Sequence, residues 1–78
     1  MEEKIVGLLG EINEEILSYG GDNLFEEGLL DSFQVIDLIE KLEDVFDVEI
    51  DAEYVLEENF KSKDCIVNLI RKIKEIKK

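Results

Sequence analysis

Ser32 and Cys65 are the side chains here best suited to forming a covalent bond, and Ser32 has no base beside it in the sequence. The chain has no histidine, the residue that most often takes a proton from a hydroxyl or thiol near neutral pH. Ser32 follows an acid, Asp31, and has no basic residue beside it; an activated serine nucleophile needs such a base within hydrogen-bond reach. Cys65 stands near Lys61 and Lys63 in the first turn of an expected helix, a setting in which a thiol can act as a nucleophile. The plainer reading is a small, half-buried residue. The chain is therefore not expected to be an enzyme. Cys65 is the only cysteine, so no internal disulfide can form, and a reducing cytoplasm is the simplest setting.

The 21 acids are the other chemical resource, against nine bases and a net charge of −12. Taking Asp47 as the first position of a twelve-residue calcium loop puts Glu49, Asp51, Glu53 and Glu58 at positions three, five, seven and twelve. Position six is then Ala52, where that loop needs glycine, so no metal site is expected. The charge is unevenly spread. Residues 1–60 hold 19 acids and 2 bases, a net of −17, and residues 61–78 hold 7 bases and 2 acids, a net of +5. An acidic body argues against nucleic acid, which selects a basic face. It suits a partner with a basic docking patch, although solubility alone accounts for many such excesses.

These side chains need a scaffold, and 78 residues at 45% apolar content provide one small core. Residues 2–19 read as a first helix, with Ile5, Leu8, Leu9, Ile12 and Ile16 on one face. Gly7 and Gly10 interrupt it, as expected where another helix packs closely, and Gly20-Gly21 is expected to stop it in a left-handed conformation. A long loop over 20–31 carries Leu24-Phe25 and Leu29-Leu30, apolar pairs expected to plug the core and pin the loop. Ser32 stands at the N-cap of a second helix over 32–46, whose buried stripe is Val35, Leu38, Ile39, Leu42 and Phe46. Val48-Glu49-Ile50 reads as extended. A short third helix is expected over 52–58 with Asp51 as cap, and Phe60 as a core plug. Ser62 caps a last helix over 63–76, with Ile66, Leu69, Ile70, Ile73 and Ile76 buried and terminal lysines complementing its negative end. The expected architecture is all-α: three longer helices and one short one, with a long connection between the first two.

The second helix also has an outer face. At about 100° per residue from Val35, Phe33, Ile36, Asp37, Glu40 and Asp44 fall outside the buried stripe. Two large apolar residues among acids, within a turn and a half of Ser32, look like a docking spot for an apolar pocket with a basic rim. Isolated exposed apolar residues are also ordinary.

Over about residues 2–76 the chain resembles the acyl carrier protein family, the phosphopantetheine-binding carrier domains. The resemblance rests on Asp31-Ser32 followed by Phe33 at a helix start, on Leu24-Phe25 and Gly28 upstream, on the exit Phe46-Asp47-Val48-Glu49-Ile50, and on Glu58-Asn59-Phe60 leading to Ser62. It implies a single carrier domain over 1–78. It also implies that Ser32 receives 4′-phosphopantetheine from coenzyme A, that Asp31 supports the magnesium ion during transfer, and that Phe33, Ile36, Asp37 and Glu40 contact partner enzymes. Those partners would be a phosphopantetheinyl transferase, an acyl- or aminoacyl-loading ligase, and a downstream acyltransferase or synthase. The cargo would be an acyl or aminoacyl thioester of a fatty-acid, polyketide, nonribosomal-peptide or D-alanyl type pathway.

The commonest fatty-acid carriers have a small residue before the Asp-Ser pair, and leucine and then an acid after it. Here Leu30 precedes, Phe33-Gln34 follow, and Asp51 replaces the proline that often follows the exit isoleucine. Leu24 through Phe33 look more like D-alanyl carriers and stand-alone carriers of specialised pathways. A monomer in the cytoplasm is expected: no apolar run approaches the ~20 residues of a membrane span, and Met1-Glu2-Glu3-Lys4 has the wrong charge for a secretory leader. The competing reading is an acidic helical protein-interaction module without a prosthetic group, in which Ser32 is only a cap.

Overall fold

The computed structural model describes residues 2–76, and among these it forms four α-helices and no strand. They are α1 (Glu2–Ile12), α2 (Ser32–Phe46), α3 (Glu57–Phe60) and α4 (Lys63–Ile76), with 3₁₀ turns at Glu14–Ser18 and Ala52–Tyr54. α2 packs on α1, and α4 packs on both α1 and α3. The expected all-α architecture, three longer helices and one short one with a long first connection, is the one observed. α2 and α4 have the expected spans.

Ile5, Leu9, Ile16, Leu24, Leu38, Leu42, Phe60, Ile66 and Ile70 are fully buried at the centre. Ile12, Ile39 and Phe46 pack against them half-buried. The loop plugs behave as expected: Leu24 and Leu30 are in the core, and Phe25 and Leu29 lean on it.

The first helix is shorter than its periodicity suggests. It breaks at Asn13, whose Oδ1 accepts from Glu15 N–H (3.0 Å) and whose Nδ2 donates to Leu29 O (3.2 Å). An asparagine side chain that bonds nearby backbone groups competes with helix continuation. The break turns Leu17 onto Gly10, where a Cβ would approach the Leu17 methyls to 3.0 Å. Gly10 thus marks close packing of this turn rather than of another helix, and Gly7 faces open space. Gly20-Gly21 does not stop the helix in a left-handed conformation, since Gly28 is the one glycine with positive φ among the described residues. Gly21 instead makes room for Tyr19, whose hydroxyl donates to Asn23 O and accepts from Asn23 N–H.

The expected helix over 52–58 is also two pieces. Asp51 makes no side-chain cap bond. Tyr54 O accepts from Leu56 N–H and from Asn59 Nδ2, both at 2.9 Å, which leaves Val55-Leu56 outside any helix. At the last helix, Ser62 Oγ accepts from Cys65 N–H (3.1 Å) as expected of a cap. Ile76 is not buried but 63% exposed: it lies at the end of α4, beyond the core, and lines an open depression with Glu49 and Asp51. Lys74 lies in the last turn of α4 as expected, and its Nζ also donates to Phe46 O (3.5 Å) at the end of α2 and lies over the Phe46 ring; Lys77 and Lys78 lie outside the described residues.

At the exit of α2, Asp47 is left-handed (φ 54°, ψ 52°), and Glu43 Oε2 accepts from Ile50 N–H (2.8 Å). A non-glycine residue there is strained, and its charge faces the negative end of the helix. Asp47→Gly is therefore expected to stabilise the fold by about 0.5–1 kcal/mol, a rise of a few degrees in a thermal melt. An unchanged or lower melting temperature would contradict this account.

Candidate functional site

Two good helix caps stand side by side in Asp31-Ser32, and the structure uses the first. Asp31 is the N-cap, in an extended conformation (φ −125°, ψ 178°). Its Oδ1 accepts from Gln34 N–H, and Gln34 Oε1 accepts from Asp31 N–H, both at 2.9 Å. This is a complete capping box. The expectation that Ser32 is the cap is thereby corrected. Ser32 is the first helical residue, exposed, and its Oγ takes no hydrogen bond among the described residues. The N–H groups of Ser32 and Phe33 likewise find no acceptor there, as the opening turn of a helix allows. An unengaged hydroxyl and two unengaged donors, at the positive end of a fifteen-residue helix, suit a phosphate ester on that hydroxyl.

The loop before Ser32 is held at several points. Leu24 N–H donates to Lys61 O (2.6 Å), and Leu29 N–H donates to Leu24 O (2.9 Å). Asn23 Oδ1 accepts from the N–H groups of Phe25 and Glu26, and Asn13, just past α1, holds Leu29 O. Gly28, at φ 71°, makes the reversal that an L side chain resists. Leu30 is 2% exposed and sits in the core one residue before the cap. The position of Ser32 is thus set by core packing on both sides, through Leu30 and Val35.

Beside Ser32 lies an apolar groove of about 420 Å³. Phe25, Val35, Ile36, Val55, Leu56 and Phe60 form its walls, and Ser32 and Glu57 supply its polar lining. Val55 and Leu56 are wall residues that sequence reasoning missed. The signal was present as an apolar run, Tyr54-Val55-Leu56, in an acidic stretch, but assigning 52–58 to one helix concealed that it lies open beside α2.

The outer face of α2 is where the helical spacing places it. Phe33 is 82% and Ile36 57% exposed, and Asp37, Glu40 and Asp44 are exposed around them. Ile36 belongs to both the outer face and the groove. Asp31, Ser32, Phe33, Ile36 and Asp37 therefore fall together at one end of α2, with Glu40 a turn further along. Cys65 is half-buried in the first turn of α4, in a shallow depression with Tyr54 and Lys72.

The family model described as phosphopantetheine attachment site matches residues 2–60, from α1 through α3. No curated protein matches the chain.

Proposed function

The chain belongs to the phosphopantetheine attachment site family, and on that premise we propose that Ser32 is the residue modified and that the chain is a carrier of acyl or aminoacyl groups. 4′-Phosphopantetheine is the prosthetic group this family attaches. When bound, it supplies a flexible arm ending in a thiol, on which cargo is held as a thioester. The observation that carries the reading is the unengaged, exposed hydroxyl of Ser32 beside two unengaged N–H groups.

The chain's own residues divide the work. Asp31 Oδ1 holds the helix start, which leaves the other carboxylate oxygen for a magnesium ion during transfer. Ser32 Oγ is the acceptor: its bond to the pantetheine-side phosphorus of coenzyme A forms as the bridging P–O bond of the pyrophosphate breaks and adenosine 3′,5′-bisphosphate leaves, the hydroxyl proton going to a base supplied by the transferase. Val55, Leu56 and Ile36 offer apolar cover beside the attachment point. No side chain of the chain acts on the cargo. Tethering raises the cargo's local concentration at each enzyme that docks. Those enzymes are the transferase, a ligase that loads the thiol, and an acyltransferase or synthase that unloads it. Among the described residues no helix is long and apolar enough to cross a membrane.

Incubation with coenzyme A, magnesium and a broad-range phosphopantetheinyl transferase tests the reading. The intact mass is expected to rise by one phosphopantetheine, and peptide mapping is expected to place it on Ser32. No gain, under conditions that modify an established carrier, would sink the proposal.

The docking face has its own test. Ile36→Asp is expected to leave the melting temperature nearly unchanged, because the side chain is more than half exposed. It is expected to slow modification or loading by about tenfold or more, as loss of an apolar interface anchor does. Unfolding of this variant would show that Ile36 is needed by the core; normal kinetics would remove it from the docking face.

A further inference from the structure

Asp31 and Ser32 are adjacent residues that both make good N-caps, so the helix has two possible starts one residue apart. The capping box separates them. With Asp31 as cap, the third helical residue is Gln34, whose side chain reaches back to Asp31 N–H (2.9 Å). With Ser32 as cap, that position would fall to Val35, which has no acceptor and is 7% exposed in the core. Only the first start satisfies two donors reciprocally.

We propose that Gln34 is a positioning residue for modification: by selecting Asp31 as the cap, it keeps the Ser32 hydroxyl out of the helix's own hydrogen bonding and available to an incoming phosphoryl group. This rests on Ser32 being the attachment residue. A capping serine turns its oxygen onto N–H groups of the first turn, which for Ser32 would be those of Gln34 or Val35. At the first helical position the side chain is released from that task.

The test compares Gln34→Leu, which removes the acceptor at similar size, with Gln34→Glu, which keeps it. Three quantities are read on each: amide hydrogen exchange at Asp31 by NMR, the melting temperature, and the initial rate of mass gain with coenzyme A, magnesium and transferase. In Gln34→Leu, exchange at Asp31 is expected to accelerate and modification to slow, each by about fivefold to tenfold, the size of a lost cap interaction. Gln34→Glu is expected to recover Asp31 protection and most of the wild-type rate. A general loss of folding would instead appear as faster exchange throughout the core and a collapsed melt.

Wild-type rates in Gln34→Leu would overturn the proposal, as would unchanged exchange at Asp31. So would a Gln34→Glu protein that protects Asp31 yet is modified as slowly as Gln34→Leu, since the transferase would then be reading the side chain itself. If the wild-type chain gains no mass, the Ser32 reading fails, and the exchange data still decide whether Gln34 sets the helix start.

Discussion

Ser32→Ala is expected to lose all phosphopantetheine incorporation while keeping wild-type stability. The second half of that result distinguishes the structure from the simplest sequence reading. A capping serine replaced by alanine costs about 1 kcal/mol, which in a domain of this size lowers the melting temperature by several degrees. Here the cap is Asp31, its box closes on Gln34, and Ser32 Oγ contributes no hydrogen bond to the described residues. The change is thus an exposed substitution at the first helical position, expected within about 0.5 kcal/mol of wild type. Asp31→Ala is the mirrored control and should carry the capping loss. Intact mass and a thermal melt on the same samples decide the matter. Incorporation that persists in Ser32→Ala would move the attachment site elsewhere. A melting drop equal to that of Asp31→Ala would return the cap to Ser32.

Phe60→Ala is expected to bring the largest change in stability. Phe60 is 1% exposed, closes α3, and forms a wall of the groove beside Ser32. Truncating a buried phenylalanine costs about 3–5 kcal/mol. A 78-residue chain has a total stability of about 4–12 kcal/mol, so the loss is comparable to the whole. The variant is expected to be largely unfolded, or to melt at least about 15 °C lower. Circular dichroism with a urea titration checks this. Phe60→Leu, which keeps most of the volume, should recover most of the stability. A cooperative melt near the wild-type temperature in Phe60→Ala would mean that the core closes without this side chain.

How legible each part was depended on whether neighbours in sequence or neighbours in space set it. The spans of α2 and α4 were readable because a buried helical face recurs every three to four residues and local caps mark the ends. Leu24, Leu30 and Phe60 were readable as plugs because large apolar residues in a loop have little reason to stay in water. The outward direction of Phe33 and Ile36 followed from helical spacing alone. The break at Asn13 did not, because Ile12 and Ile16 suit one continuous helix equally well. What breaks it is the Asn13 side chain, which accepts from Glu15 N–H and is held in place by Leu29 O, sixteen residues away. In the same way Asn59 reaching back to Tyr54 O, with Lys72 over the Tyr54 ring (5.7 Å), sets the open shape of 54–56.

The sequence alone determined that the chain would be small, acidic, all-helical and without histidine, and that Asp31-Ser32 would stand at a helix start. Those properties depend on composition, period and residue type, which the chain carries whatever it touches. The capping box between Asp31 and Gln34, three residues apart, sets which of the two residues caps the helix; the tertiary structure decided where the loop holds them, and that Val55 and Leu56 line a groove beside Ser32. These are choices between nearly equal local alternatives. Contacts distant in sequence, from Asn13 to Leu29 and from Leu24 to Lys61, tip them, and those contacts exist only once the core has formed.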